Sequence, residues 1–509
     1  MSNSTSLSDQ PDLDAAFERS NRSEWEALAT RSLRDGRTLP DLATVTLDGL
    51  RIEALHDSYG ADKAPPPPLP RKALSHVDNV VRIVMGDTAA LATELREALS
   101  GGADRLELVG TPSDERLQTI LDQSHLQGVG LAFRIDSGDT GDGLDERVRA
   151  RIESRGSHAR PSKLALLRDP IGDAVAGTLA ASDMEAAIQA AAQASLAPGN
   201  GLLADASAHH NAGASAVDEL VASVMLWKSH VEALMAAGLD ASAAATRVDV
   251  NLAIDANLPE SVAKLRALRS LLVDTGSALG LDDTQVPSII TAETSGRFLS
   301  RLDPWNNHLR NVLAASAAII SGASRVTVLP HDRLDGATPT ARRVARNTAV
   351  ILLRESHLAD ANDAAAGSYA IESLTAAMVT KATEQLAQWG SSASWRAALV
   401  DGTWAGRLAA TQAQRETRLG RGDTVMVGVT KYQATDDGAR SAAAASAAAA
   451  AATSGASGAS GASGDEPATA ASRDPGQATS PPLLPVVRDA EPFELALHDA
   501  DNTNQGEGA

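Results

Sequence analysis

Val248-Asp249-Val250-Asn251-Leu252-Ala253 is a short apolar-rich run followed by a segment of helical periodicity. A run of this length, bounded by such a segment, predicts a buried strand. Seven more runs alternate with helical patterns in the same way. They are Val80–Val84, Arg105–Val109, Val129–Arg134, Leu164–Leu167, Leu202–Asp205, Ser288–Ala292 and Arg325–Val328. Because a crossover helix returns the chain parallel to the preceding strand, this alternation predicts a parallel sheet. Eight units suit a closed (β/α)8 barrel, and a doubly wound open sheet is the competing architecture.

Proline and glycine mark several helix boundaries within this region. Thr111 precedes Pro112 and Asp303 precedes Pro304, so each pair predicts a capping residue followed by the first helical position. Gly101-Gly102 predicts a helix end.

Composition excludes several classes of site. The chain has 509 residues, 43% of them apolar, which is enough for a large core. It has no cysteine, so disulfides, thiolate metal sites and cysteine nucleophiles are excluded. The formal net charge of −20 argues against nucleic acid and anionic membranes as partners. Residues 1–11 are polar and no run of about 18 apolar residues occurs, so we expect neither a secretory signal nor a membrane span, and a cytoplasmic location.

The sequence predicts three regions. Residues 1–73 form an N-terminal arm with a helical stretch at Leu13–Leu33 and an extended stretch at Thr44–Leu55, and residues 65–68 are a stiff proline run. Residues 74–433 carry the strand and helix alternation. Residues 434–509 are rich in Ala, Ser, Gly and Pro, so we expect a flexible tail that is dispensable for the rest of the fold.

The arm is the predicted handle for a partner. Its large apolar residues are too few to form a core of their own, and they are Phe17, Trp25, Leu28 and Leu33. Interfaces draw most of their binding energy from a few such anchors, so we expect the arm to wrap another chain. The alternative is that the arm packs on its own barrel.

Only weak catalytic candidates are visible in the pattern. The pairs His209-His210 and His331-Asp332 each follow a predicted strand, where barrel enzymes place catalytic groups. The alternative for each is a packed or solvated loop pair. Arg342, Arg343 and Arg346 could bind phosphate, although a solvated helix face is the usual explanation for such a cluster.

Several collinear motifs resemble the methylmalonyl-CoA mutase family across most of residues 15–433. The strongest is Glu293-Thr294-Ser295-Gly296-Arg297 followed by Asp303-Pro304-Trp305-Asn306-Asn307. Others follow in order, at residues 328–332 (VLPHD), 345–348 (ARNT), 355–358 (ESHL), 367–375 (GSYAIESLT) and 427–432 (VGVTKY). The resemblance favours the barrel over the open sheet.

Departures from the family pattern imply a non-catalytic chain. The resemblance places the catalytic histidine at Ala208, with His209 and His210 one and two residues off register and therefore weak candidates. Glu293 and Arg297 stand where catalytic chains carry an amide and an indole. The tyrosine-bearing motif expected at the first barrel strand is absent from residues 75–84, so no catalytic residue is expected here.

The resemblance also assigns the cofactor to another chain. Catalytic members bind cobalamin in a flavodoxin-like domain through D-x-H-x-x-G, and this sequence contains no such motif. It resembles the small subunit of heterodimeric mutases, which pairs with a large catalytic subunit carrying adenosylcobalamin. The implied reaction of the complex interconverts methylmalonyl-CoA and succinyl-CoA. The alternatives are a free-standing acyl-CoA-binding or regulatory protein, and the small subunit of a related acyl-CoA mutase.

Overall fold

The computed structural model describes residues 21–57, 76–122, 126–137, 143–154, 161–286, 289–361, 363–433 and 481–497. Eight parallel strands, β3 to β10, close into a barrel in the order β10-β3-β4-β5-β6-β7-β8-β9. The predicted (β/α)8 barrel is therefore confirmed, and the open sheet is wrong. Strands β4, β5, β7 and β9 are buried at every residue, because helices cover the outside and side chains fill the inside.

The two arm strands pair with each other and the other eight form the barrel. Their bounds are β1 (Thr44–Val45), β2 (Arg51–Ile52), β3 (Asp78–Val84), β4 (Arg105–Val109), β5 (Gly130–Ile135), β6 (Lys163–Arg168), β7 (Asn200–Asp205), β8 (Val248–Ile254), β9 (Ile290–Thr294) and β10 (Arg325–Thr327).

Helices precede, separate and follow the barrel strands. They are α1 (Arg22–Ser32), α2 (Thr88–Ser100), α3 (Asp114–Leu121), α4 (Leu144–Glu153), α5 (Pro170–Ala176), α6 (Met184–Ala194), α7 (Ser207–Asn211), α8 (Ala216–Ala236), α9 (Ala241–Ala245), α10 (Leu258–Ala278), α11 (Pro304–Ile320), α12 (Pro339–Val350), α13 (Tyr369–Trp389), α14 (Ser392–Val400) and α15 (Thr403–Arg421). A π-helical turn, Ile351–Glu355, continues α12. Within the described part of the chain, no helix is long and apolar enough to cross a membrane.

The structure confirms some of the predicted helix boundaries and contradicts another. Helix α2 ends at Ser100 and Gly101 is its C-terminal capping residue, as predicted. Helix α11 begins at Pro304, but Asp303 has a φ of 50° and its carboxylate accepts from the Asn306 side chain rather than from a backbone amide. The prediction for Thr111 is wrong, because the capping residue of α3 is Ser113, whose hydroxyl accepts from the Arg116 amide.

The arm lies partly against its own barrel. Asp48, between β1 and β2, accepts hydrogen bonds from the Ser215 hydroxyl and the Val217 amide at the start of α8. By contrast, α1 has no buried residue, and Leu28 is 65% exposed. Trp25 and Leu33 are half-buried, and Phe17 lies outside the described residues. The inner half of the arm is thus anchored, while α1 presents apolar side chains to solvent.

Residues 481–497 differ from the flexible tail predicted for 434–509. The Val487 amide donates to the Asn211 carbonyl, and the Asp489 amide donates to the Arg297 carbonyl. Glu494 is fully buried and accepts hydrogen bonds from the Ser300 hydroxyl and the Arg301 amide, at 2.9 and 2.8 Å. We call residues 481–497 the strap. Its few anchoring residues follow a long Ala, Ser and Gly run, so composition predicted a flexible tail instead of an attached segment.

Candidate functional site

Charged side chains fill the interior of the barrel. The Arg82 Nε lies 2.6 Å from the Glu107 carboxylate, and Arg82 also contacts Glu293 on β9, one strand beyond its neighbour β10. The Arg134 guanidinium bridges Glu107 and Asp205, at 2.7 and 2.6 Å. We call these five residues, contributed by β3, β4, β5, β7 and β9, the axial network. Each of the five side chains is at most 8% exposed.

Pairing with arginine keeps the Glu107 and Asp205 carboxylates of the axial network ionised. Burial alone would raise the pKa of Glu107, but Arg134 and Arg82 lower it to about 2. The same two arginines hold the pKa of Asp205 well below its usual range against burial. Charges buried together without water need this pairing, because an unpaired one costs several kcal/mol. The barrel axis is therefore occupied by side chains.

His210 lies at the carboxyl ends of the barrel strands, within α7. Its Nδ1 is 2.9 Å from Glu219 on α8, and its Nε2 is 2.8 Å from the Ser295 hydroxyl after β9. The Lys264 ammonium from α10 donates to Glu219 at 2.6 Å. Burial would raise the pKa of Glu219, but Lys264 and His210 lower it to about 2. Because ionised Glu219 only accepts, Nδ1 of His210 carries the proton and Nε2 accepts from Ser295.

Burial, reinforced by Arg297, lowers the pKa of His210 to about 4. The imidazole is therefore neutral at physiological pH, and both its nitrogens are engaged by protein groups. This arrangement holds α7 against α8 and β9. As a catalytic base His210 would first have to break one of these two hydrogen bonds.

His209 points the other way and packs in the core. Its ring lies between Trp395 and Trp404, at centroid distances of 5.5 and 6.0 Å, and Nδ1 accepts from the Trp404 indole at 3.0 Å. Burial lowers its pKa to about 4 as well. His209 is thus a packed side chain. Ala208, the position that the resemblance gives to the catalytic histidine, also packs against the apolar core.

Arg297 organises a second polar cluster beside His210. Its NH1 donates to the His210 and Ala214 carbonyls, and its NH2 donates to Asp255 at 2.9 Å. Arg415 on α15 donates to the same Ala214 carbonyl at 3.1 Å. The Asp489 carboxylate of the strap lies 3.7 Å from Arg297 Nε and 3.8 Å from Arg415 Nε.

A cavity of about 610 Å³ opens beside this cluster. It lies between the arm strands, the start of α10, one face of α11 and residues 424–427, and His210, Asp255, Arg297, Arg415 and Asp489 reach its wall. Glu260 also lines it. Desolvation, with the nearby carboxylates of Asp48 and Asp255, raises the pKa of Glu260 to about 7.

The two other groups of candidate residues from the sequence lie apart from this cavity. His331 stacks on Trp305 at a centroid distance of 4.7 Å, whereas Asp332 accepts from Thr338, so the two side chains form no dyad. Arg342 lies 3.5 Å from Glu94 on α2, and Arg346 packs over Gly101. Arg342 thus joins α12 to α2, while Arg343 and Arg346 line an open depression between the same two helices, and the phosphate site considered from the sequence stays a prediction.

Sequence reasoning singled out Glu293 and Arg297, and both are buried in charged clusters. It missed the roles of Lys264, Asp255, Arg415 and Asp489. Asp255 directly follows β8, so the rule that placed His209 and His210 at a strand end could also have found it. Lys264, Arg415 and Asp489 carry no local signal. Among the described residues, no group of three or more His, Asp or Glu side chains could hold a metal ion.

Comparison with known proteins adds the family. A family model described as methylmalonyl-CoA mutase matches residues 181–454. The chain is 37% identical over 276 residues to the methylmalonyl-CoA mutase small subunit of Streptomyces virginiae, covering 51% of this chain and 45% of that one. It is 29% identical over 418 residues to a probable methylmalonyl-CoA mutase small subunit of Mycobacterium bovis, covering 77% and 66%.

Similarity extends to relatives named simply as the mutase. The chain is 32% identical over 224 residues to the methylmalonyl-CoA mutase of Escherichia coli, covering 44% of this chain and 31% of that one. The chain thus spans about half the length of the Streptomyces relative and two thirds of the Mycobacterium one. The barrel, the collinear motifs and the family match over 181–454 agree, and the chain belongs to the methylmalonyl-CoA mutase family.

Proposed function

We propose that this chain is the small, non-catalytic subunit of a heterodimeric methylmalonyl-CoA mutase. In this proposal a large catalytic subunit carries adenosylcobalamin and interconverts methylmalonyl-CoA and succinyl-CoA. The chain described here supports that subunit as a folded partner. Two relatives with this similarity are themselves named small subunits, which supports the assignment.

The axial network is the observation that carries the non-catalytic role. An acyl-CoA entering along the barrel axis would have to displace Arg82, Glu107, Arg134, Asp205 and Glu293. These side chains are paired with one another, and removing one partner of a buried pair costs about 3–5 kcal/mol. A substrate would need to repay that cost on binding. The interior therefore favours a supporting barrel over a substrate channel.

The histidines at the barrel mouth do not fit a cobalt-ligating role. His210 has Nδ1 on Glu219 and Nε2 on Ser295, and His209 is enclosed by two tryptophans. Neither can offer a nitrogen to a corrin without dismantling its packing. We therefore assign no step of the reaction to a cofactor on these residues.

The test is to purify the full chain alone and together with a full-length mutase subunit from the same organism. We expect no conversion of methylmalonyl-CoA by the single chain with added adenosylcobalamin, and conversion by a complex whose mass corresponds to one copy of each chain. Turnover by the single chain would overturn the non-catalytic role. Failure of the two chains to associate would instead favour the free-standing alternative.

A second measurement addresses His210 directly. A general acid or base typically contributes about 10²–10⁴-fold to rate. In the complex we expect kcat at pH 7 to be unchanged by His210→Gln, because the neutral, fully engaged imidazole serves packing. A loss of kcat on that scale, in a variant that remains folded and associated, would show that His210 is catalytic.

A further inference from the structure

The cavity beside Arg297 is separate from the barrel axis, since no member of the axial network lines it. Its volume of about 610 Å³ lies in the range of small-molecule sites, about 300–1,000 Å³. Side-chain hydrogen bonds to backbone carbonyls fix two of the segments that bound it. Arg418 ties the arm to the wall through the Val45 and Thr46 carbonyls, and Arg310 ties residue 427 to α11 through its carbonyl.

The charge of the cavity wall is opposite to that of the chain. Four arginines line it, namely Arg297, Arg310, Arg415 and Arg418. The carboxylates among the described lining residues are Asp255, Glu260 and Asp489, and the charge of Lys264 is balanced by Glu219 behind the wall. In a chain of net charge −20, this local excess of arginine favours an anionic ligand.

Asp489 already occupies the place where such an anion would lie. Arg297 and Arg415 are fixed by backbone carbonyls, and each presents its Nε to the same carboxylate oxygen, Oδ1. At 3.7 and 3.8 Å neither contact is a hydrogen bond, and both Arg297 Nε and Asp489 Oδ1 are buried without a hydrogen-bond partner. Burial raises the pKa of Asp489. The carboxylate of the strap, which also interacts with Gln412, thus lies between the two guanidinium groups without a hydrogen bond to either Nε.

We propose that this cavity binds a small organic anion, whose carboxylate replaces that of Asp489 between Arg297 and Arg415 and whose apolar body rests on α11. The apolar part of the wall includes Phe298, Leu309, Leu313, Val425 and Met426. Leu309 and Leu313 are 62% and 48% exposed, so a ligand that covered them would remove apolar surface from water. A short-chain or medium-chain carboxylate has both parts.

In this arrangement the strap and the ligand compete for one pair of guanidinium groups. The Asp489 carboxylate is part of the same chain, so it holds the position at high effective concentration. A ligand carboxylate with freely adjustable geometry can form the hydrogen bonds to Nε that Asp489 does not form. The inference goes beyond the proposed function, because it concerns the full chain without its partner.

The test measures binding of octanoate and of its neutral analogue octanamide to the full chain by calorimetry at pH 7.5. We expect octanoate to bind at least roughly tenfold more tightly than octanamide, a difference of about 1.4 kcal/mol. Asp489→Asn removes the competing carboxylate and keeps its shape, so it should tighten octanoate binding by a similar factor. Equal affinities for the two compounds, or no octanoate binding to either protein, would overturn the proposal.

A cavity-blocking variant locates the site. Leu313→Trp fills the apolar wall from an exposed helix position, and we expect it to abolish octanoate binding. Val400→Trp at the end of α14 is the matched control, because Val400 is equally exposed at 48% and does not line the cavity. Octanoate binding that survives Leu313→Trp, or that is lost equally in the control, would show that the ligand binds elsewhere.

Discussion

At the residue scale, His210 shows how burial turns a candidate catalytic group into a structural one. Its two nitrogens join α7 to Glu219 and to Ser295, and the ring is 3% exposed. The charged form is penalised by the same burial, so the hydrogen-bond arrangement exists only for neutral imidazole. His210 therefore couples the stability of the barrel mouth to pH.

We predict that the free energy of unfolding falls as pH is lowered from about 6.5 to 4. In the unfolded chain His210 protonates near 6.5, whereas in the folded protein it does so near 4. Between these values the unfolded state binds a proton that the folded state does not, so acid favours unfolding. The full difference between the two pKa values corresponds to up to about 3 kcal/mol in the free energy of unfolding. The pKa of His209 is also lowered to about 4, so His209 contributes in the same direction.

Denaturant unfolding at pH 7 and pH 5 measures this effect. His210→Gln cannot protonate, so it should lose about 2 kcal/mol less stability between these two pH values than the unaltered chain. His357→Gln is the control, since the His357 side chain is 66% exposed and should leave the loss unchanged. Identical losses in the His210→Gln and unaltered proteins would contradict the assignment.

The sequence could not reveal the partners of His210, because they come from separate elements. Glu219 is nine residues away on α8, and Ser295 follows β9, 85 residues later. Consecutive residues of a helix do not face each other, and His209 and His210 accordingly have separate partners. Which of them faced the barrel mouth depended on α7, a five-residue helix without a side-chain cap.

At the element scale, the barrel strands were predictable and the segments that close over the barrel were not. All eight predicted strands occur, and Arg105–Val109 has the predicted bounds. The strands were predictable because short apolar-rich runs alternate with helical patterns, even though several of them carry one charged residue of the axial network. The strap has few apolar residues, and its attachment depends on Arg488, Asp489 and Glu494 meeting polar groups far away in the sequence.

We predict that the strap stabilises the barrel. Truncation after Gln433 should lower the Tm by several degrees, whereas truncation after Leu497, which leaves the strap intact, should not. Within the full chain, Glu494→Ala leaves Ser300, the Arg301 amide and Arg488 without their acceptor, at a cost of about 2–4 kcal/mol in strap attachment. Hydrogen exchange of residues 481–497 measures the attachment. If truncation after Gln433 leaves the Tm unchanged, residues 434–509 are dispensable for the fold, as their composition predicts.

Helix α1 remains the predicted handle for a partner. Its half-buried Trp25 and exposed Leu28 have no place in the barrel core, while Asp48 anchors the chain that follows. We expect Trp25→Ala to weaken association with the large subunit by about 2 kcal/mol, or roughly 30-fold, measured by co-purification and titration. Trp305→Ala, at a tryptophan on α11 that is 64% exposed, is the control. A Trp25→Ala chain that is less stable but binds the partner normally would mean that α1 serves its own barrel.

At the scale of the whole molecule, the barrel is closed by backbone pairing and filled by charge. A barrel interior packed with apolar side chains would need no pairing, whereas the axial network makes each of its charges depend on residues from other strands. Arg82 alone connects Glu107 on β4 with Glu293 on β9. The two carboxylates and the arginine therefore couple strands on both sides of the junction where the first and last barrel strands pair.

This coupling predicts a non-additive pair of substitutions. Arg82→Met leaves Glu107 and Glu293 buried with reduced compensation, so it should lower the free energy of unfolding by about 3–5 kcal/mol. Adding Glu293→Gln removes one of the stranded charges, while Glu107 keeps its contact with Arg134, so the double variant should be more stable than Arg82→Met alone. Denaturant unfolding of the unaltered chain, both single variants and the double variant gives the coupling energy. If the two substitutions are simply additive, the charges act independently, and the axial network is then too weakly coupled to be what keeps a substrate out of the barrel.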